Sequence, residues 1–271
     1  MSSAEKILSE YYSNYGWDIS NGITEDARRW EDLRNCANEY LIKCRLRVLN
    51  YIPERGETIL DMASGPIQYP EYLTYSAKFK KRYCVDLSKK ALEIAKKKIG
   101  EHGEYFHGNF LNMEFPNNFF DCVISLHTIY HIDQNQQADA VNKMINIVKP
   151  NRPIIIVYSN PYSLENIIFN PIKYFLKLIT YFKNILLKKK SNKNKFYFKP
   201  FNLLWWLRFK KKGKISFKTW RSFSARTQKI FFPNNILGQF LFELLYFLEE
   251  RFPRLSVLLA TYPMIIIEKK N

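Results

Sequence analysis

Apolar positions along this chain follow two periods. Between residues 58 and 158, short runs of Ile, Val, Leu, Phe and Cys alternate with stretches in which apolar residues return every three or four positions. The first pattern is that of strands and the second that of helices. Strands are predicted over 58–62, 83–88, 104–110, 119–126 and 152–158, and helices over 69–77, 88–99 and 136–148, with Ser88 as N-cap of the second helix. The run Phe119-Phe120-Asp121-Cys122-Val123-Ile124-Ser125-Leu126 is largely apolar, as a strand buried on both faces must be. Such alternation predicts an α/β fold built on a parallel sheet.

The flanks read differently. Residues 4–17 start as a helix and carry Tyr11, Tyr12, Tyr15 and Trp17. Residues 25–51 read as one helix, with Trp30, Leu33, Cys36, Ala37, Tyr40, Leu41, Cys44 and Val48 on its apolar face. Past Pro161 an amphipathic helix is predicted over 171–190, with Lys173, Lys177, Thr180, Asn184 and Lys188 on one stripe, followed by a basic loop over 188–195. A helix over 200–209, a strand over 215–223, a long helix over 236–252 and a final strand over 262–268 complete the chain.

Charge divides the molecule. Residues 1–165 hold 20 Lys and Arg against 21 Asp and Glu, whereas 166–271 hold 22 against 4, a net charge of +18 in the second part. No acid lies between Glu165 and Glu243, a bias that suits an anionic neighbour: a nucleic acid, a membrane surface or a phosphorylated substrate. Four cysteines without a CxxC pair read as free thiols. The start of the chain has no secretory pattern and no stretch is apolar enough to span a bilayer, so a cytoplasmic location is expected, with peripheral contact at the inner membrane face left open.

The chemistry concentrates at two strand ends. The first strand runs into Asp61-Met62-Ala63-Ser64-Gly65-Pro66, and Asp86 ends the next strand at the spacing that places a carboxylate on a ribose diol. Only Gly65 occupies the turn, with Ala63 and Ile67 at the alternate positions, so a diphosphate would fit badly while a ligand without phosphate would not. In these features, over roughly residues 40–160 and with the motifs in order, the chain resembles the class I S-adenosylmethionine-dependent methyltransferases.

That resemblance implies a Rossmann-like, seven-stranded, mostly parallel sheet with helices on both faces, whose closing strand runs antiparallel. It also implies S-adenosylmethionine as cofactor and S-adenosylhomocysteine as product. By the same resemblance Asp61, Ala63, Ser64 and Gly65 would face the methionine part, with Asp61 near its ammonium, and Asp86 the ribose hydroxyls. Leu87 and Phe110 would sandwich the adenine, Asn109 would serve its edge where the family usually has Asp, and Leu126 would border the cofactor. His127 and His131, in the exit loop of the fourth strand, are the candidate bases, since an imidazole with a pKa near ~6.5 can take a hydroxyl proton. Tyr11, Tyr15, Tyr130, Tyr197 and Arg221 are the candidate acceptor-binding residues.

The expected organisation is an N-terminal helical lid (1–50), a cofactor-binding core (51–160), a basic helical insert over the acceptor site (161–214) and a C-terminal part that completes the sheet (215–271). The expected reaction is methyl transfer to oxygen of a small-molecule, sugar or lipid-linked acceptor, anionic in character, of the kind used in carbohydrate or polysaccharide biosynthesis. An RNA methyltransferase and a non-catalytic, membrane-associated cofactor-binding protein are the alternatives. No RNA-binding module is recognisable, and His127-Thr128-Ile129-Tyr130 stands where nucleic-acid N-methylating enzymes carry an Asn-Pro-Pro-aromatic loop. The glycine pattern opposes a nicotinamide-dependent oxidoreductase.

Overall fold

The computed structural model describes residues 3–169 and 197–271. Seven strands form one sheet: β1 (Gly56–Met62), β2 (Phe79–Asp86), β3 (Gly103–His107), β4 (Cys122–Leu126), β5 (Pro153–Val157), β6 (Gly213–Arg221) and β7 (Tyr262–Lys269). Their order is β3-β2-β1-β4-β5-β7-β6. The first five run parallel, and β7 lies antiparallel between β5 and β6. Chain order reverses between β1 and β4, so the loops after β1 and β4 splay apart there and leave a crevice.

Both faces of the sheet are covered, and the alternation of side chains shows it. On β5, Ile154 and Ile156 join one core cluster with Leu60, Val123, Ile265 and Ile267, whereas Ile155 and Val157 join the other with Ile59, Ile124, Met264 and Ile266. Nearly continuous apolar runs are required of strands that bury both sides. The first face packs on α6 (Gln137–Ile147) through Val141, Met144 and Ile145 and on Trp206. The helix after β2, α5 (Lys89–Ile99), starts where Ser88 Oγ accepts from Ala91 N–H, the predicted cap.

The N-terminal part consists of α1 (Ser3–Tyr11), a π-turn over Tyr12–Gly16, a two-stranded hairpin (Ile19–Ser20 with Ile23–Thr24), α2 (Glu25–Trp30) and α3 (Asn35–Leu46). The single helix expected over 25–51 is therefore broken at Glu31–Arg34. Glu31 is extended because its carboxylate turns inward to Arg221, at 2.8 Å, while Asp32 takes the Arg34 guanidinium on both oxygens. Two carboxylates that find cations inside the fold outweigh one uninterrupted helical stretch.

Other boundaries move for local reasons. β2 begins at Phe79, since the lysines that mask its start are on a strand whose Phe79 pairs with Gly56. β3 ends at His107, because Gly108 has a φ of +138° and turns the chain, so Asn109 and Phe110 lie beyond the strand. Helix is confined to α4 (Pro70–Thr74) within 69–77, and to a 3₁₀ stretch, Leu203–Phe209, within 200–209. β4 starts only at Cys122. The C-terminal half adds α7 (Ala225–Phe231), α8 (Ile236–Arg251) and α9 (Pro253–Leu259) before β7. The helix expected over 171–190 and the basic loop over 188–195 lie outside the described residues. Among the described residues, no helix is long and apolar enough to cross a membrane. All four cysteines are buried and free.

Candidate functional site

Two adjoining cavities, of about 190 and 80 Å³, open at the C-terminal ends of β1, β2 and β4 and share Leu8, Ala63, Asp86, Leu87, Thr128 and His131 in their walls. The smaller is bounded mainly by Met62, Val85, Phe110 and Ile132 with Asn109 at its polar edge, a slot for a flat apolar ring. The larger runs from Ala63–Gly65 to Tyr12, Trp17, Asp26, Gln68 and Tyr72. Asp86 sits where the two meet.

The loop after β1 keeps the backbone of a glycine-rich turn with one glycine. Ala63, Gly65 and Ile67 have φ of +59°, +55° and +49°. For Ala and Ile this region costs about 1–2 kcal/mol each, so the surrounding contacts hold the turn: Ser64 N–H bonds Val85 O at 3.1 Å and Ile67 is fully buried with Cys84 and Leu92. Gly65 itself cannot be replaced freely, because a Cβ there would lie 3.2 Å from the Trp17 ring.

The two strand-end acids differ. Asp61, at β1, forms a buried ion pair with Arg82 of β2. Asp86, at β2, accepts from Gly65 N–H and Ser88 N–H, each at 2.8 Å, one on each oxygen. Each oxygen keeps a further lone pair, the capacity needed for a vicinal diol. Burial, partly offset by those two N–H groups, raises its pKa to about 6. Asn109 caps the short turn after β3, its Oδ1 accepting from Leu111 N–H at 2.8 Å, so its NH2 is the group left for a ligand edge.

The two histidines occupy different hydrogen-bonding situations. His131 Nδ1 lies 2.7 Å from the carbonyl oxygen of Tyr197, which can only accept, so Nδ1 carries the proton and Nε2 the lone pair. His127 Nδ1 lies 3.2 Å from the buried Tyr130 hydroxyl. Burial keeps that phenol protonated, and a phenol can donate to Nδ1 or accept from it, so this contact joins the two groups without fixing the His127 tautomer. Burial lowers the pKa of both imidazoles, reinforced at His127 by Arg221, so both are neutral at pH 7. His127 also has a left-handed backbone, φ +59°, and packs edge-on against Trp220 and Tyr262.

The residues expected to meet the acceptor are dispersed. Tyr15 is 62% exposed and lines an outer depression with Tyr11, away from the two cavities. One helical turn decides this: Leu8 and Tyr12 point inward in their place, a choice that several neighbouring aromatic residues left open. Tyr197 contributes its backbone carbonyl to His131 and its hydroxyl accepts from Gln134 N–H. Tyr130 lies behind His127. Arg221, the residue expected at an anionic group or on the sheet edge, is buried, paired with Glu31 and flanked by the Trp220 and Tyr262 rings. Tyr12, Trp17, Asp26, Gln68 and Thr128 line the larger cavity without having been expected there as site residues. The aromatic cluster of 11–17 was the signal for Tyr12 and Trp17, and Thr128 lies in the exit loop of the two histidines; nothing marked Asp26 or Gln68.

Among the described residues no Lys or Arg side chain lines either cavity, whereas Glu5, Asp26, Asp61, Asp86 and Asp133 do. The residues present suit an uncharged, flat base with a diol and a polar tail: an apolar slot, a carboxylate with free lone pairs at its mouth, and a tight turn below.

Comparison with known proteins agrees. Residues 60–156 match the family model described as a methyltransferase domain. An uncharacterized methyltransferase of Anoxybacillus flavithermus is 26% identical over 109 residues, 40% of this chain and 50% of that protein. A ubiquinone/menaquinone biosynthesis C-methyltransferase of Francisella tularensis subsp. novicida is 26% identical over 115 residues, 40% of this chain and 45% of that protein. The matched stretch thus spans about half the length of these relatives. A crystal structure of an S-adenosylmethionine-dependent methyltransferase from Archaeoglobus fulgidus superposes with a TM-score of 0.53 at 16% identity, over 86% of this chain and 94% of that one, a likeness of fold.

Proposed function

Starting from a class I S-adenosylmethionine-dependent methyltransferase domain in this chain, we propose that the protein methylates a hydroxyl of a small-molecule, sugar or lipid-linked acceptor, with His131 as the base. When bound, S-adenosylmethionine supplies the methyl group on a sulfonium. Asp86 holds the ribose hydroxyls, and Leu87 and Phe110 lie on the base. Leu8, Tyr12 and Trp17 of the N-terminal part close over the cleft and exclude water. In-line displacement depends chiefly on orientation, so walls from both sides of the cleft supply much of what the reaction needs.

The observation that carries the reading is the His131–Tyr197 hydrogen bond. It presents a bare Nε2 on a neutral imidazole at the junction of the two cavities, where a hydroxyl proton must leave as the O–C bond forms. His127, held against the Tyr130 hydroxyl, borders the larger cavity and helps to orient the acceptor. With no Lys or Arg among the described residues of the walls, an anionic acceptor would keep its charge away from Asp26, Asp61 and Asp86.

The test is incubation with methyl-labelled S-adenosylmethionine and cell extract, followed by separation of lipid, nucleic-acid and aqueous small-molecule fractions. Label should enter the lipid or aqueous fraction and be lost in Asp86→Ala. His131→Asn, which keeps a donor for the Tyr197 carbonyl, should slow transfer about 10²–10⁴-fold while S-adenosylhomocysteine affinity stays within about twofold. Label in nucleic acid would establish the RNA alternative; cofactor binding without transfer to any fraction would contradict the enzymatic reading.

A further inference from the structure

α8 carries apolar side chains on two opposite sides. One side is buried: Gly238 and Phe242 lie there, Phe242 stacks on Tyr40 of α3, and Glu249 is held by Arg47. On the other side Ile236, Leu237, Phe240, Leu244, Phe247 and Leu248 are between 40% and 86% exposed. At 3.6 residues per turn these six and Arg251 fall within one arc of about 120°, a stripe about 23 Å long. α9 lies against the end of α8, with Ser256 Oγ 3.5 Å from the Leu248 carbonyl oxygen, and adds Leu255 and Leu258, both more than half exposed. A contiguous exposed apolar face of this extent marks a contact site.

The charges of α8 are sorted by side as well. Its acids are Glu243, Glu249 and Glu250. Glu249 and Glu250 pair with Arg47, and Glu243 borders the same groove as Lys43 of α3. All three fall outside the exposed arc. The arc holds Arg251 and α9 holds Arg254, both exposed. Beyond Glu165 the chain has only one further acid, Glu268, which pairs with Lys214 on the sheet. The stripe thus presents apolar side chains and arginines and no acid.

We propose that the exposed face of α8 and α9 docks on a bilayer surface with anionic headgroups, its Leu, Ile and Phe side chains entering the acyl boundary and Arg251 and Arg254 meeting the phosphates. A helix that lies in the plane of the interface needs such a face, and each cation near an anionic surface adds attraction. A nucleic acid would leave the apolar stripe in water. A second copy seated on the same face would set these arginines against their equivalents, in a chain of net charge +17. No residue of this face lines either cavity, so the docking does not depend on what the cleft binds.

Flotation of the full chain with vesicles of mixed phosphatidylglycerol and phosphatidylcholine, and with vesicles of phosphatidylcholine alone, tests this. The wild-type protein should float with the mixed vesicles and far less with phosphatidylcholine alone. Phe240→Gln combined with Phe247→Gln should weaken partition onto the mixed vesicles at least about tenfold. Arg251→Gln combined with Arg254→Gln should weaken it about tenfold. All four side chains are exposed, so thermal melts of both double variants should match the wild type, which separates lost docking from lost folding. Absence of wild-type flotation, or equal flotation with the two compositions, overturns the proposal. So does flotation of the phenylalanine variant equal to the wild type, since lysines elsewhere would then hold the vesicle. A wild-type dimer in sedimentation velocity that the phenylalanine variant makes monomeric, without flotation of either, would give the face to a second copy instead.

Discussion

Two buried regions of this molecule handle their carboxylates in opposite ways. Between α3, α8 and β6, Glu249 accepts from Tyr40 Oη at 2.8 Å and Ser222 N–H at 3.0 Å and pairs with Arg47 at 2.8 Å. Arg47 also bonds the Trp220 carbonyl and pairs with Glu250. Nearby, Arg221 is matched to Glu31. At the cleft, Asp26 and Asp86 receive only neutral donors, and burial raises the pKa of each to about 6. Glu249 and Glu31 are matched by arginines where they join elements, as is Asp61 in the cavity wall, whereas Asp26 and Asp86 have no ion pair among the described residues. A carboxylate thus joins elements in one place and, on the function proposed above, would serve recognition in the other.

The contrast breaks most visibly at the joining network. Glu249→Ala strands the Tyr40 hydroxyl, the Ser222 N–H and the Arg47 charge, and should cost about 3–5 kcal/mol of folding stability in urea titrations. Affinity for S-adenosylhomocysteine should survive wherever the variant is folded. A variant as stable as the wild type would show that the network adds nothing to the fold.

Asp86→Ala should show the reverse emphasis, with S-adenosylhomocysteine affinity reduced about 100-fold, roughly 2–3 kcal/mol, as read by calorimetry. Unchanged binding would sink the ribose assignment. The pH dependence sharpens it: Asp86 holds its proton up to about pH 6 in the folded protein, and a protonated carboxyl loses the charge that accepts the diol hydrogens. Affinity should therefore fall as pH drops through about 6, and a flat profile between pH 7.5 and 5 would exclude Asp86 from the diol. For folding the sign is opposite, since a raised carboxyl pKa makes the Asp86 contribution to stability decline as pH rises from about 4 to 6.

The smallest effect belongs to the turn between the two strand-end acids. Ala63→Gly relieves a left-handed backbone at φ +59° and should raise stability by no more than about 1 kcal/mol, because glycine gains that conformation at the cost of greater unfolded-state freedom. A loss of stability in thermal melts would mean that Ala63 Cβ packs usefully in the cleft wall.

The sequence by itself determined the sheet and placed two acids and a tight turn at its strand ends. Short, nearly continuous apolar runs ending in Asp61 and Asp86, with helices between, leave few arrangements besides a doubly wound sheet, since both strand faces must be covered and each strand end must return through a helix. Their positions are local: the acids and Gly65 lie within a few residues of the strands that carry them. The boundaries that moved, at Phe79, His107 and Glu31–Arg34, did so where a distant partner or a turn outweighed local periodicity.

Only the tertiary structure decided what each polar side chain meets. Arg221 reads as a free surface cation until Glu31, 190 residues earlier in the chain, is found at 2.8 Å. His131 gains a defined tautomer from a carbonyl 66 residues away, and Asp61 is paired with Arg82 of the neighbouring strand. In the π-turn that follows the N-terminal helix, Tyr12 faces the larger cavity and Tyr15 an outer depression. Hydrogen bonds and ion pairs act over a few ångströms in space but join residues far apart along the chain, so their partners emerge only when the sheet has brought those segments together.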